Sequence, residues 1–399
     1  MNIKVLKFGG SVISSVDDIM EVAHRIGERF ERGDFPVVVV SAIRGMTDEL
    51  ISMAYRLSKS PARREMDMLI SVGERISMSL LAIALNDMGL KARSYTGSQV
   101  GIITENRHTS ARVYEVRLYR ILDSIERGEI PIVAGFQGVS LEKEITTLGR
   151  GGSDLTAVAL TVALRKHFSN VDVEFYKNVD GVYSVNPSIA PSRRIPLMSY
   201  EEMIVMSSMG AKIVHSRAAS LAARYNIPLT IRGFRGEGGT IVKDIEFLEG
   251  PHVKAIVDVP AVSIYLQVER MDRVPQIITA LSSRGISPVM FYHTYVGDKP
   301  HLAFVLKESD YGDFRSVVKD YPIEHREVHG DKVLVTVVGY GAGNSKEVKD
   351  AIISTADRMG IHIDAFISDD YRVSILVDSK NRDIFVKELA RIFHLLSDQ

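Results

Sequence analysis

Apolar positions in the first part of the chain switch between strand-like runs and helical spacing. Ile3 to Phe8 is an apolar run ended by Gly9-Gly10-Ser11, after which Ile19, Val22, Ala23, Ile26 and Phe30 recur at helical spacing as far as Gly33. Val37 to Val40 is a continuous β-branched run of the kind a parallel sheet buries on both faces. Strand, helix and strand in that order predict a βαβ unit with its glycine turn between the first strand and the helix. The stripe Met68, Leu69, Val72, Ile76, Leu80 and Ile83 predicts one long helix, roughly Arg64 to Met88. Ser94 to Thr104 and Ile130 to Gly138 predict further strands and turns, with a helix near Ala111 to Arg127 between them. Val173 to Asn178 reads as a strand, and Tyr200 to Met209 and Ala211 to Tyr225 as helices, with Lys212 and His215 near the start of the second. Leu229 to Arg232 is the last strand of an alternation that runs to about Ile245.

The pattern then changes. Val262 to Val268 predicts a strand, Val274 to Ser283 a helix, His301 to Leu306 a strand, and a short helix follows Asp310. The order returns from Val333: strand Val333 to Val338, helix Ser345 to Met359, strands Ile361 to Ile367 and Tyr371 to Val377, and helix Asp383 to Leu396. Two βαββαβ-like copies predict paired ferredoxin-like domains. The expected architecture is α/β: an open, mainly parallel sheet sandwiched by helices over residues 1–245, then two small α+β domains over 253–328 and 329–399. Gly339, Gly341 and Gly343 lack the spacing of a dinucleotide loop and are read as a tight turn.

Composition narrows the function classes. With 49 basic and 50 acidic residues there is no electrostatic case for nucleic acid or an acidic membrane surface. The absence of cysteine excludes disulfides and thiolate chemistry and fits a reducing cytoplasm. The opening MNIKVLKFGG lacks the features of a signal peptide, and no apolar run nears the roughly 20 residues that span a bilayer. The expectation is a soluble, cytoplasmic protein. The eleven histidines show no HExxH pairing, and no GxSxG elbow or GxxxxGK[ST] loop occurs.

Thr146 to Ala163, TTLGRGGSDLTAVALTVA, carries the strongest chemical signal. Gly149, Gly151 and Gly152 allow a tight turn and close approach of a ligand to the backbone. Ser153 and Asp154 stand where a helix N-cap is expected, which would point free N–H groups into the same loop and favour an anion. Arg150 adds a planar cationic fork suited to carboxylate or phosphate. Lys7, at the end of the first strand beside Gly9 and Gly10, places an ammonium where phosphate oxygens could rest on backbone amides. Ser41 to Thr47 leaves the second strand as a polar loop, at the sheet edge where open parallel sheets bind ligands. Glu74, an acid within a mostly apolar helix, is either ion-paired or holds a ligand amine, and its neighbour Arg75 does not face it.

Several of these segments together resemble one family. KFGGS at Lys7 to Ser11, VVVSA before Ala42, SVGERIS at Ser71 to Ser77, TGSQVGIIT, VAGFQG, TTLGRGGSD and MGAKIVHSRA at Met209 to Ala218 all resemble aspartate kinases of the amino-acid kinase fold. The opening KFGGSVI is shared with isopentenyl phosphate kinases, whereas VAGFQG with TTLGRGGSD is specific. The C-terminal copies resemble the tandem ACT domains that such kinases use for regulation and dimer contacts. The resemblance implies ATP- and Mg²⁺-dependent phosphorylation of the side chain of L-aspartate, the first step towards lysine, threonine and methionine, by a homodimer or higher homo-oligomer with an amino-acid effector at its ACT-like domains. It implies that Lys7, Gly9, Gly10 and Ser11 hold ATP phosphates, that Lys212 reaches them, and that Asn178 and Tyr183 lie against adenosine. It implies that Ser41, Thr47, Glu74, Arg150 and Ser153 hold aspartate, with Glu74 on the amino group and Arg150 on a carboxylate. Asp154, with Ser153, would organise cations on the phosphate side. Mg²⁺ would arrive on ATP, with no protein side chain assigned to it. A related carboxylate or phosphate kinase, or a catalytically dead amino-acid sensor, is the competing expectation.

The chemistry suits these residue types. A carboxylate with an ordinary pKa near 3.9 is already an anionic nucleophile at neutral pH and needs no general base. The obstacle is repulsion between two anions, which cations and positioning must offset.

The chain also departs from the pattern. Lys177-Asn178 stands where the family usually has Thr-Asp, and Asn186-Pro187-Ser188 where it has Asp-Pro-Arg. In the first ACT-like copy Tyr292-His293 replaces Gln-Asn, and Val274-Pro275 stands near the usual Pro-Gly. Weak or altered feedback is therefore predicted: lysine and threonine titrated into a kinase assay should inhibit little, and strong inhibition by lysine at low concentration would overturn this.

Overall fold

The computed structural model describes residues 1–236, 238–246, 250–296 and 299–397. They form two compact units: Met1–Val182, Arg194–Ser207 and Lys212–Glu246 in the first, and Tyr183–Arg193, Ser208–Ala211 and Phe247–Gln399 in the second.

In the first unit β1 (Asn2–Phe8), α1 (Val16–Glu31) and β2 (Asp34–Val40) form the predicted βαβ unit. Then come α2 (Met46–Leu57), α3 (Arg63–Ile70), α4 (Val72–Asp87), β3 (Ala92–Tyr95), β4 (Ile102–Thr104), β5 (Val113–Val116), α5 (Tyr119–Glu126) and β6 (Ile130–Ala134). β7 (Gln137–Ser140), β8 (Ile145–Thr147), α6 (Gly152–Leu164) and β9 (Val171–Lys177) follow. After the two-residue strands β10 (Val182–Tyr183, of which Tyr183 is assigned to the second unit), β11 (Arg194–Ile195) and β12 (Leu197–Met198) come α7 (Tyr200–Ser208, of which Ser208 is assigned to the second unit), α8 (Ser216–Arg224), β13 (Leu229–Gly233) and β14 (Thr240–Val242). Eight strands make the main sheet in the order β12-β14-β13-β9-β1-β2-β6-β3, and β5-β4-β7-β8 make a second sheet. Within the main sheet only β13 and β14 pair antiparallel.

Residue parity along the central strands separates two faces. Leu6, Phe8, Val38, Val40, Ile132, Ala134 and Tyr176 pack with Ile19, Val22, Ala23 and Ile26 of α1 and Met78, Leu81 and Leu85 of α4. Their neighbours Val5, Lys7, Val37, Val39, Phe175 and Lys177 therefore face the other side, where α6 packs on β1, β2 and β9. α6 is buried on almost every side, which explains its apolar composition all round.

The single long helix expected over Arg64 to Met88 is two helices, divided at Ser71, whose hydroxyl donates to the Met68 carbonyl at 3.1 Å. By length and composition the segment Arg63–Asp87 could cross a membrane, contrary to the sequence expectation, but 56% of its apolar window is buried in the protein. Two charged residues, Asp67 and Glu74, lie among its buried positions. It is a core segment. The helix expected near Ala111 to Arg127 begins only at Tyr119, because Val113 to Val116 pairs with β4. α2 is not read from the sequence because it begins inside the segment that reads as the Ser41 to Thr47 loop; it buries no residue fully.

The second unit consists of β15 (His252–Val268), α9 (Arg273–Ser283), β16 (Met290–Val296), β17 (Lys299–Lys307), α10 (Glu308–Val318), β18 (Ile323–Tyr340), α11 (Lys346–Met359), β19 (Ala365–Asp369), β20 (Arg372–Asp378), a short 3-10 turn and α12 (Arg382–Ile392). The two expected copies share one six-stranded sheet, β16-β17-β15-β18-β20-β19. β15 and β18 are long enough to serve both, with a register shift between Ala261 and Ser263 where one copy gives way to the other. Each copy keeps its own core. Ile264, Leu266, Ile277, Leu302, Phe304 and Phe314 form one, and Val335, Val337, Ile352, Ile375, Phe385 and Leu389 the other. The second core also takes Val185 and Ile189 from the segment before α7. The glycine run is a packing device: a Cβ on Gly339 would strike the His252 carbonyl oxygen, and one on Gly343 the Asp369 carbonyl oxygen. Replacing buried Ile189 with Ala should cost about 2–4 kcal/mol and lower the melting transition of this unit in calorimetry; an unchanged transition would show that the segment is dispensable to its core.

Candidate active site

The carboxyl ends of β1 and β9 lie side by side, with Lys7 opposite Phe175 and Phe8 opposite Tyr176 in register. Lys7 and Lys177 thus end neighbouring parallel strands on the same face. Asp154, in the first turn of α6, meets both: its Oδ1 is 2.6 Å from Lys7 Nζ and 3.7 Å from Lys177 Nζ. Its Oδ2 accepts the backbone N–H of His215 at 3.1 Å. All three charged side chains are buried. Burial alone would raise the Asp154 pKa, but the ammonium groups of Lys177 and Lys7 outweigh it and hold the carboxyl at about 2. Lys177 moves the other way: burial, reinforced by Lys7 and opposed by Asp154, lowers its pKa to about 8. The cluster therefore carries net positive charge away from bulk water.

The surrounding backbone is shaped for close approach. A Cβ on Gly9 would stand 3.1 Å from Lys7 Nζ, and one on Gly135 would stand 2.7 Å from the Ser153 hydroxyl. Gly151 has φ +67°, and a side chain there would also strike the His215 ring. Lys7 and Asp154 sit where β1 turns at Gly9 and α6 begins. The amides of Val12 and Ile13 both bond the Gly9 carbonyl, fixing that turn.

Glu74 supplies a second charged feature. α4 starts close against the loop after β2, because at Gly73 a Cβ would come 2.7 Å from that of Ala42. This approach lets Glu74 Oε1 accept the Ala42 N–H at 3.1 Å. Its other oxygen, Oε2, is buried with no hydrogen-bond partner. Burial raises the Glu74 pKa to about 7, against the lowering effect of the Ala42 and Glu74 amides and of Lys7. A buried carboxylate oxygen of this kind fits a donor from outside the chain.

Residues 2–233 match the Amino acid kinase family. The aspartokinase of Geobacillus stearothermophilus is 36% identical over 408 residues, spanning 100% of this chain and 98% of that protein. The chain belongs to the aspartokinase family. Aspartokinase 2 of Bacillus subtilis is 35% identical, covering 99% of this chain and 98% of its own length. The fold matches E. coli aspartokinase III solved with aspartate and ADP, with TM-score 0.82, 22% identity, and 98% and 99% of the two chains covered.

Among the residues expected from sequence to serve an aspartokinase site, Lys7 and Asp154 are in direct contact, Glu74 is within electrostatic reach of Lys7, and Ser153 packs against Gly135. Ser41 follows β2, its amide bonded to the Phe8 carbonyl, and Thr47 lies in the first turn of α2 rather than in a loop. Arg150 is exposed on the glycine turn and forms no ion pair among the described residues. Asn178 is exposed and lines a cleft of about 280 Å³ with Ser11, Ser14, Arg44, Phe234 and Arg235. Gly10 approaches the Ala42 carbonyl in the same region. Two expectations are corrected. Ser153 and Asp154 do not cap α6: Gly151 is the cap, with a left-handed backbone, and Asp154 is turned to the lysines instead. Lys212 and His215 precede α8, which begins at Ser216, because His215 itself is the cap and accepts the Arg217 N–H. Lys212 is exposed, and Tyr183 belongs to the second unit.

Lys177 is the residue that sequence reading missed, although the signal matched that of Lys7: a lysine ending a buried strand before a turn. Asp154→Asn would leave two buried ammonium groups facing one another, at a cost of about 3–5 kcal/mol. Because the Asp154 pKa is depressed, its contribution is complete above pH 4 and is lost as pH falls through about 2. Urea unfolding of both proteins should show a constant gap from pH 7 to 4 that closes towards pH 2; a gap that persists there would contradict the ion cluster.

Proposed function

We propose that this chain transfers the γ-phosphoryl group of ATP to the side-chain carboxylate of L-aspartate, giving 4-phospho-L-aspartate. The observation that carries the assignment of roles is the pairing of a buried, unpartnered Glu74 oxygen with the net-positive Lys7–Asp154–Lys177 cluster. The first suits an amino group and the second an anionic phosphoryl group. Membership of the aspartokinase family supports both.

On this reading Lys7 and the amides of Gly9, Gly10 and Ser11 receive the phosphates, with Lys212 reaching them as a further cation. Asn178 faces adenosine. Glu74 accepts the α-ammonium of aspartate, Arg150 grips its α-carboxylate, and Ser41, Thr47 and Ser153 complete its polar surroundings. Asp154 holds Lys7 in place through their ion pair. Mg²⁺ carried by ATP would offset part of the phosphate charge, with no side chain of this chain assigned to hold it. The acceptor carboxylate is already ionised at neutral pH, so no base is required. The protein instead holds two anions together and shields their repulsion.

Residues 1–245 are assigned as the catalytic domain, with 253–328 and 329–399 as regulatory domains for an amino-acid effector. E. coli aspartokinase III has been solved with lysine and aspartate, which supports that role. A homodimer is part of the same proposal, since β16 and β19 end the second unit's sheet with unpaired edges that invite pairing. A cytoplasmic location belongs to the same proposal, and the use of ATP supports it.

The reaction is tested by trapping the acyl phosphate with hydroxylamine. Protein, Mg·ATP and aspartate should yield a hydroxamate, and no product with aspartate would reject the proposal. Glu74 gives a second prediction. Its raised pKa means that ligand-free stability from this group is complete below pH 4.5 and lost as pH rises through about 7. The ammonium needs the ionised form, so kcat/KM for aspartate should fall about tenfold per unit below pH 7. Glu74→Gln should lower it about 10–100-fold and flatten that acid limb; an unaltered pH profile would remove Glu74 from amine binding.

A further inference from the structure

Lys177 is nearly as buried as Lys7, yet the two are not equivalent. Lys7 forms an ion pair with Asp154 at 2.6 Å, whereas Lys177 stands at 3.7 Å from the same oxygen. One carboxylate cannot neutralise two ammonium groups. The remainder is one positive charge at the carboxyl edge of the sheet, with its nearest counter-charge already committed. The groups that face Lys177 are few. β1 contributes Lys7 and α6 contributes Asp154, while the same face of β13 carries Leu229, Ile231 and Gly233. β9 itself contributes Val173 and Phe175. The backbone carbonyl of Lys177 is bonded to the Phe234 amide at 2.8 Å, so the strand end is fixed and only the side chain can move. The next residue, Asn178, opens onto the 280 Å³ cleft that reaches the Gly9–Ser11 turn through Ser11.

A structural explanation would require Lys177 to stabilise the fold, but a buried ammonium with a second ammonium beside it and a shared, distant carboxylate does the reverse. An anion placed between the two lysines would satisfy both. We propose that Lys177 is a second phosphate-binding cation of the transfer site, idling on Asp154 when the site is empty and bonding nucleotide phosphoryl oxygens alongside Lys7 when it is filled. This rests on the kinase reading above and adds to it a residue at a position where the family pattern has a neutral threonine.

The depressed pKa of Lys177, about 8, supplies a readout that a merely structural lysine would not. In the nucleotide-free enzyme Lys177 loses its proton as pH rises through that value. kcat/KM for ATP at saturating aspartate, which reports the aspartate-bound enzyme before nucleotide binds, should then fall above about pH 8. Lys177→Met keeps the length of the side chain and removes the charge. The expected result is at least a tenfold loss in ADP affinity by calorimetry and in kcat/KM for ATP, with the alkaline limb gone and KM for aspartate within about threefold of the parent. Lys177→Arg should restore part of the ADP affinity and carry its limb above pH 10. ADP affinity and an alkaline limb within twofold of the parent in Lys177→Met would overturn the proposal. Should that variant fail to fold by circular dichroism, Lys177→Arg decides alone, and a limb that stays near pH 8 in it would overturn the proposal. Calorimetry with ADP needs no turnover, so a protein that binds ADP through Lys177 but makes no aspartyl hydroxamate would refute the kinase reading and leave this one standing.

Discussion

Two ammonium groups and one carboxylate, buried where neighbouring parallel strands end, impose the central constraint on the first unit. At about 4 Å and an effective dielectric of ~20 a charge pair is worth about 4 kcal/mol; two attractive pairs meet on Asp154, and the lysines repel one another. The arrangement is tolerable only because Asp154 is held in place by the His215 amide and by the start of α6. Lys177 and Lys7 keep it ionised across the physiological range. The strands supply Lys7 and Lys177, the helix supplies Asp154, and the segment before α8 supplies the amide. None of these elements could shift by a turn without exposing an uncompensated charge.

Close backbone approach is the second requirement, and it explains why glycine stands at particular positions. Gly73 lets α4 dock against Ala42, and only that contact brings Glu74 onto the Ala42 amide. Gly151 adopts a left-handed backbone to begin α6 and leaves room for His215. In both places a small residue sets a carboxylate by letting a helix start where a side chain would block it. The result is two helix N-termini at the carboxyl edge of the sheet, one carrying Glu74 and the other Asp154. In open α/β sheets that edge is where ligands collect.

Much of this fold could be read from the chain. Buried parallel strands such as Ile3–Phe8 and Val37–Val40 are continuous apolar runs, and α1 has a sharply one-sided stripe with a Ser15–Asp18 capping box. The errors came where tertiary contacts outweighed local pattern. Val113–Val116 pairs with β4 and so is not helical, Ser71 divides a stripe that continues through it, and α2 begins inside the segment read as the Ser41 to Thr47 loop. The two ferredoxin-like copies were visible from element order. That they share one sheet was not, because β15 and β18 each run across both copies, and no local period records where a long strand changes partners.

The site was legible in composition and less so in geometry. Lys7, Asp154 and Glu74 were each recognisable as polar residues in apolar surroundings, and burial together with their contacts is what makes them chemical. Asp154 was misplaced because an Asp after glycines is the usual mark of an N-cap, and the cap bond and a lysine pair compete for the same oxygens. With Gly151 already ending the preceding turn in a left-handed conformation, the helix has no need of the side chain, and two ammonium groups offer far more than one amide. Lys177 was passed over for the complementary reason. Taken as a departure from a family pattern it is a missing neutral residue; placed on the sheet it is a cation on the strand beside that of Lys7, sharing Asp154 with it. Parity along β9 puts residue 177 on the α6 face, so once Lys7 is granted a role at that edge, Lys177 has no other place to put its charge.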